Sequence, residues 1–383
     1  MIITSKLRER KDHFVITWYK EDREKSGVSI GDIIILKLGE RELVRPVRKD
    51  FHISLPKKEL RNKNKGDKIK LPVLKIVKKS EGIKRPVIIF KEDKIDIRFF
   101  IPKKTLFNHV IYVLERDVNY STIWYPVGGG VRHINIKNFI NADKLAELMG
   151  FYFGDGTTCK TIRSLRLTNS EPSALDYCLE IFEAMGIERH NFKVQVIYCT
   201  DKEITCEIKS RCVEFWSSAL RINKENIVSV TKSNNKKETL AHGSARIFLD
   251  NTVLVEILLH GLLKGILQRI SNPEKDIDKR LLNGFMRGLL AAEGSVILNK
   301  NGSVVKIGIA HDPHSDELEL YRKWLANLGI RPGANKGNEL YVYGFDNIRK
   351  FYEIDAFKMH NKRNAIFVKG FLNNKKFKAK SSG

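Results

Sequence analysis

Two acidic residues, Asp155 and Glu293, end two segments that repeat one another. The first is Leu145-Ala-Glu-Leu-Met-Gly-Phe-Tyr-Phe-Gly-Asp-Gly156. The second is Asn283-Gly-Phe-Met-Arg-Gly-Leu-Leu-Ala-Ala-Glu-Gly294. With the acids aligned, Ala146, Gly150 and Gly154 fall on Gly284, Gly288 and Ala292, spaced as one stripe of a helix. Glycine inside a helix costs about 1 kcal/mol relative to alanine, and a carboxylate at a helix C-terminus faces the negative end of the dipole. Such a pattern needs a compensating purpose. A stripe of small residues lets two helix backbones approach more closely than the usual distance of roughly 8–10 Å. The apolar residues between them are expected to anchor each helix in its own half. Gly156 and Gly294 are expected to end the helices in the left-handed conformation. Two helices meeting this way would deliver Asp155 and Glu293 side by side. Paired carboxylates repel unless a cation lies between them, and hard oxygen ligands suit Mg²⁺.

The elements needed to hold these helices can be read outward from the motifs. After Gly156, Ser164-Leu-Arg-Leu-Thr168 reads as a strand, Glu171 to Met185 as a helix stopped by Gly186, and Phe192 to Tyr198 as a strand. After Gly294, Val304 to Ala310 reads as a strand, Asp316 to Leu328 as a helix stopped by Gly329, and Glu339 to Tyr343 as a strand. The first half is longer by about 30 residues. These include a basic loop, Thr231-Lys-Ser-Asn-Asn-Lys-Lys-Glu238. Thr252 to Leu267 reads as an apolar helix interrupted by Gly261 and Gly265. The stretch Ile204–Leu220 fits either a strand leading into a helix or one long helix.

The paired motifs resemble those of the single-chain LAGLIDADG homing endonucleases, over roughly residues 141–372. The resemblance implies an α+β fold of two pseudo-twofold-related half-domains, each in αββαββα-like order, with saddle-shaped DNA-binding sheets. It implies a monomer that hydrolyses both strands of duplex DNA across the minor groove, leaving short 3′ overhangs, with Mg²⁺ or Mn²⁺ as cofactor. Asp155 and Glu293 would then be catalytic metal ligands, with Gly154 and Ala292 beside them in the metal site. Asn169 and His311 stand where the family places a polar residue, often lysine, that orders water; neither is a lysine. His311 and His314 also fit a turn and helix-capping pair. Lys209 and Arg211 are further electrostatic candidates. Arg163, Arg166, Lys193 and Gln195 in the first half, and Lys306, Asn338, Tyr341 and Tyr343 in the second, are candidates for reading bases from sheet strands.

Composition points the same way. The chain has 383 residues and a net charge of +24, more than a solvated surface needs, and polyanion binding accounts for it. Residues 1–140 hold 32 Lys and Arg against 17 Asp and Glu. The 42% hydrophobic content supports real cores. No apolar run is long enough to span a membrane, no secretory leader is visible, and the five cysteines lack metal-site spacing. An intracellular protein with free thiols is expected. Only Gln195 and Gln268 represent glutamine while Lys, Glu and Ile abound, as in hyperthermophile proteins such as those of archaea.

Residues 1–125 are expected to form a β-rich basic domain. Strands Phe14–Trp18 and Ile33–Leu38 are echoed by Phe51–Leu60 and Lys68–Leu74, with Gly31-Asp32 and Lys65-Gly-Asp67 at matching turns, and a third partial echo runs from Ile97 to Leu106. The plan is similar to the swapped-hairpin barrels of AbrB/MazE-type DNA-binding domains, except that Tyr19-Lys20 stands where Pro56-Lys57 stands in the second repeat. Tyr125-Pro-Val-Gly-Gly-Gly130 marks a hinge in a linker over 126–140. The halves are expected at 141–270 and 271–375, followed by a tail at 376–383. Two other functions could use the same basic scaffold: a non-catalytic DNA-binding regulator, or an intron-RNA maturase. The presence of both acids favours the enzyme. Protein splicing is not expected from the His360-Asn361 pair, because the sequence continues beyond it and begins with Met.

Overall fold

The computed structural model describes residues 1–10, 13–39, 41–60, 62–78, 90–91, 93–127, 130–157, 164–233, 241–333 and 335–374. The chain divides into two compact units, Met1–Pro86 with Pro102–Asn135, and Val87–Ile101 with Ile136–Gly383.

The first unit is built on strands β1 (Ile2–Lys6), β2 (Arg8–Glu9), β3 (His13–Thr17), β4 (Ile33–Leu38), β5 (Arg41–Pro46), β6 (His52–Pro56) and β7 (Lys68–Val77), with helix α1 (Lys20–Ser26) after β3. The two sequence repeats interleave: β3 pairs with β6, and β4 with β7, both antiparallel. The sheets β1-β7-β4-β5 and β2-β3-β6 close on one core that includes Ile16, Trp18, Ile34, Leu36, Ile53, Leu55 and Leu71. Both repeats make the same turn. Gly31 and Gly66 hold φ of 92° and 93°, which glycine tolerates best. The next residue's carboxylate accepts from a backbone N–H three positions back, Ser29 to Asp32 at 2.8 Å and Asn64 to Asp67 at 2.9 Å. β4 is buried on both faces, as its unbroken apolar run requires. Ile33 and Ile35 pack with Leu114 and Trp124. Those two belong to β10 (Tyr112–Glu115) and β11 (Tyr120–Val127), which form a sheet with β12 (Gly130–Lys137). Gly128-Gly129, the expected hinge, lies outside the described residues.

The third sequence echo does not repeat the plan. Ile97–Phe100 is a 3-10 turn, capped by the Asp96 side chain, which accepts from the Arg98 N–H. It follows two short strands, β8 (Phe90–Lys91) and β9 (Lys94–Asp96), and β9 pairs with β13 (Phe139–Asn141) in the second unit. A cut at residue 125 would therefore remove part of the second unit.

The second unit is α+β and holds two related halves. The first contains α2 (Ala142–Asp155), β14 (Leu165–Asn169), α3 (Pro172–Ala184), β15 (Lys193–Cys199), α4 (Cys206–Ala219), β16 (Ile227–Ser233) and β17 (Ser244–Leu249). Its sheet order is β14-β17-β15-β16, and β16 lies parallel to β15. The segment Ile204–Leu220 thus resolves as helix α4. Together α4 and β16 account for the extra length of this half. Of the expected basic loop, Thr231, Lys232 and Ser233 belong to β16, and residues 234–238 lie outside the described residues. The apolar stretch after Thr252 forms α5 (Thr252–Val255), a π-helical segment over Glu256–Leu263, and α6 (Lys264–Ser271). The close approach that Gly265 allows is to Phe100, whose ring would stand 2.4 Å from a β-carbon there.

The second half runs α7 (Asp276–Glu293), β18 (Gly294–Leu298), β19 (Val304–Ala310), α8 (Glu317–Asn327), β20 (Asn335–Lys336), β21 (Glu339–Tyr343), α9 (Phe345–Glu353) and α10 (Asn361–Leu372). Its sheet order is β18-β19-β21-β20. With one further helix at its end, this is the helix–strand–strand–helix–strand–strand–helix order that the resemblance implies. Among the described residues, no helix is long and apolar enough to cross a membrane.

Candidate active site

The site is assembled by α2 and α7, which run parallel along the small-residue stripe. A β-carbon on Gly150 would stand 1.9 Å from the carbonyl oxygen of Phe285, and one on Gly288 would stand 2.0 Å from that of Glu147. One on Gly284 would meet the Ala146 methyl at 2.9 Å, and one on Gly154 the Ala292 methyl at 2.6 Å. Contacts under 3.0 Å cannot be accommodated without parting the helices. The larger side chains do not all stay in their own half. Phe153 of α2 packs edge-on against Phe285 of α7 and Trp324 of α8, with ring centroids 5.7 and 5.6 Å apart.

Ion pairs tie the two helices together from the first turn of α2 to its middle. Arg280 donates to Asp143 at 2.6 Å, and Arg287 donates to Asp143 at 3.2 Å and to Glu147 at 2.6 Å. Glu147 is fully buried. It is also 2.6 Å from Lys358 Nζ and accepts from the Tyr177 hydroxyl at 2.6 Å.

At the exit ends the acids meet. A β-carbon on Gly154 would stand 3.6 Å from Oε1 of Glu293, so the Glu293 carboxylate lies against the turn that carries Asp155. Both helices end in extended rather than left-handed glycines, correcting the expectation from sequence: φ is −85° at Gly156 and −76° at Gly294. What requires glycine is close approach. A β-carbon would stand 2.2 Å from Tyr152 O at Gly156 and 2.4 Å from Leu290 O at Gly294. The extended exit feeds the next strand directly, since Gly294 pairs with Ile309 and Gly156 bridges to Leu167.

Both acids are partly buried and hold their protons more tightly than usual. Burial pushes Asp155 up to about 6, while the amide of Asn169, which donates to its Oδ2, and Arg363 oppose the rise. Burial, then the charges of Asp155 and Glu317, push Glu293 up to about 7, with Arg363 opposing. Arg363 lies on α10, and no sequence motif marks it. Its Nη1 donates to the carbonyls of Leu290, Ala291 and Ala292 at 3.1, 2.7 and 3.3 Å.

The two residues at equivalent strand ends behave differently. Asn169 holds Asp155. The His311 ring instead contacts Asn335 Oδ1 at 3.0 Å from Nε2, and its backbone N–H donates to Asn338 O at 2.9 Å. His314 donates its backbone N–H to Asp312 in an exposed turn. Lys209 and Arg211 are exposed on α4. Among the described residues, no three His, Cys, Asp or Glu side chains gather as a complete metal cage.

The outer face of the first sheet carries a row of hydrogen-bonded polar side chains crossing four strands. Arg246 Nε donates to Thr168 at 3.1 Å, Arg246 Nη1 to Gln195 at 3.4 Å, and Gln195 to Thr231 at 3.4 Å. Arg246 was not legible from sequence, because only the strand register places it beside Gln195. Arg166 and Lys193 are exposed and both stand opposite Phe248 in register. Arg163 lies outside the described residues. In the second sheet Lys306 sits 3.8 Å over the Tyr341 ring and opposite Tyr343. Tyr341 donates to Glu339 at 2.6 Å, and Asn338 is exposed in the β20–β21 turn.

No protein-family model matches the chain, and no curated protein matches it. Several solved structures are similar to part of it. The N-terminal LAGLIDADG domain of DUF199/WhiA is 16% identical over 56% of this chain and 82% of that one, with a TM-score of 0.32. Full-length DUF199/WhiA from Thermatoga maritima is 17% identical over 59% of this chain and 60% of that one, with a TM-score of 0.33. The meganuclease I-SmaMI bound to uncleaveable DNA is 11% identical over 62% of this chain and 95% of that one, with a TM-score of 0.26.

Proposed function

We propose that the chain is a divalent-metal-dependent endonuclease that cuts both strands of duplex DNA. The observation that carries this reading is the placement of Asp155 and Glu293 together at the ends of two helices locked by glycine. Burial raises both acids, and the charge of Asp155 raises Glu293 further, so the ionised pair is unfavourable. The donor set is hard, anionic and short of cationic compensation, which suits Mg²⁺ or Mn²⁺ with water and phosphate oxygens completing the shell. Asp155 and Glu293 would hold the ion. Bound there, it would supply an activated water and charge stabilisation at the phosphate. Asn169 orients Asp155 by its hydrogen bond. The charge of Arg363 opposes the rise of both acids.

The two sheets would take the duplex. Arg166, Lys193, Gln195 and Arg246 on one, and Lys306, Tyr341 and Tyr343 on the other, offer donors and flat surfaces to base edges. The basic first unit would add phosphate contacts.

Selection from a random duplex library, with and without Mg²⁺, tests the whole reading. The expected outcome is a defined site recovered intact without the ion and cut on both strands with it. Recovery of a bound but uncut site with Mg²⁺ and with Mn²⁺ would instead mark a duplex-binding regulator. Preference for structured RNA would overturn DNA as the ligand.

A further inference from the structure

The last helix, α10, touches both sides of the acid pair at its N-terminal turn. On one side, the Arg363 guanidinium donates to the carbonyls of Leu290, Ala291 and Ala292, at 2.7 to 3.3 Å. These are the three residues before Glu293. Leu290 O also accepts the Gly294 N–H, whereas a helix end leaves the carbonyls that follow without intrahelical partners, so Arg363 closes the end of α7 with charge-assisted bonds. On the other side, the Asn361 N–H donates to Ser173 Oγ at 3.0 Å. Ser173 donates to the Glu171 carboxylate at 2.8 Å, the Glu171 N–H donates to Asn169 Oδ1 at 2.7 Å, and the Asn169 amide donates to Asp155. The turn itself is fixed, because His360 caps it by accepting the Arg363 N–H at Nδ1, 3.2 Å away.

We propose that this turn is a strut that sets the position of Glu293 relative to Asp155, with Arg363 as its positioning residue. The strut belongs to the second half yet reaches the first half through Ser173. It therefore couples the two acids by a route separate from the glycine stripe. Its two arms are unequal. The Arg363 arm acts on the helix end carrying Glu293, and the Asn361–Ser173 arm acts on the residues holding Asp155.

The inference rests on the endonuclease reading, extended so that each acid serves one strand, and strand-resolved cutting tests it. Each strand of the selected duplex is labelled, and cutting by Arg363→Met, Arg363→Lys and Ser173→Ala is compared with that of the native protein under single-turnover conditions. Displacing a reacting group by about 1 Å can cost on the order of 100-fold. Arg363→Met is expected to slow one strand at least about tenfold more than the other. Ser173→Ala is expected to bias cutting toward the opposite strand. The three carbonyls converge on one nitrogen, Nη1, where an ammonium with three donors could also bond them, so Arg363→Lys should recover part of the activity lost in Arg363→Met. Equal slowing of both strands, or no recovery with lysine, would overturn the strut.

Amide hydrogen exchange gives a readout independent of cutting. In Arg363→Met, exchange over Leu289–Gly294 should accelerate while that over Gly150–Asp155 stays unchanged. Unchanged exchange over Leu289–Gly294 would overturn the strut. If the native protein cuts no duplex, the endonuclease reading falls and the exchange measurement alone decides the strut.

Discussion

Gly150 lies so close to Phe285 that a β-carbon on the glycine would stand 1.9 Å from the phenylalanine's carbonyl oxygen. No side-chain rotation relieves a clash with backbone, so the two helices would have to separate. Gly150→Ala is therefore expected to destabilise the protein by about 1–3 kcal/mol or more, the usual range for overpacking. Gly288→Ala, whose β-carbon would meet Glu147 O at 2.0 Å, should behave alike. Urea denaturation of each variant checks this. An unchanged midpoint would show that the helices are less tightly apposed.

The acid pair should make stability depend on pH in an unusual direction. Asp155 and Glu293 titrate near 6 and 7 when folded, against roughly 3.9 and 4.3 for free side chains. Between about pH 4 and 7 the folded state therefore binds more protons than the unfolded state, and this pair's contribution to stability falls as pH rises. Without divalent ions, the melting temperature should drop across that window by more than in Asp155→Asn/Glu293→Gln. Adding Mg²⁺ at about pH 8, above both folded values, should raise the melting temperature of the native protein but not of that variant. A melting temperature insensitive to both pH and Mg²⁺ would contradict the pairing.

Glu147 has Arg287 and Lys358 as partners, each 2.6 Å away, and no exposed surface. Removing its charge leaves Arg287 largely buried and less well paired. Such a loss typically costs about 3–5 kcal/mol. Glu147→Leu should lower stability by that order, as measured by chemical denaturation, and Glu147→Asp should lower it by less.

The charge excess of the first unit should appear in the salt dependence of DNA binding. Lys63, Lys65, Lys68 and Lys70 are exposed around the second Gly-Asp turn and strand β7. Replacing all four by Gln should reduce the log–log salt slope by about 0.9 for each phosphate that is no longer neutralised. Point replacement serves better than deletion, because β9 pairs with β13 in the second unit. An unchanged slope would place the duplex away from this turn.

Much of this architecture was legible in the sequence because it depends on local periodicity. The glycine stripe, the matching acids, the strands Val304–Ala310 and Glu339–Tyr343, and the repeated Gly-Asp turns all leave a pattern in one stretch of chain. Arg363 leaves none, since its meaning depends on carbonyls some 70 positions earlier. Arg246 is informative only through its register with Thr168 and Gln195. The echo at Ile97 was misleading because Asp96 caps a 3-10 turn there, and a single capping side chain overrides a weak strand pattern. His311 and Asn169 occupy matching strand ends, yet the β20–β21 hairpin draws the histidine ring to Asn335. That difference between the halves depends on tertiary contact and has no local sign.

The most direct test of the central claim compares four proteins on one selected duplex with Mg²⁺: native, Asp155→Asn, Glu293→Gln and the double variant. Strand-resolved cutting and duplex affinity are measured together. The expected result is that only the native protein cuts both strands, while all four bind the duplex with similar affinity. Double-strand cutting that survives in the double variant would show that these two acids do not form the catalytic site.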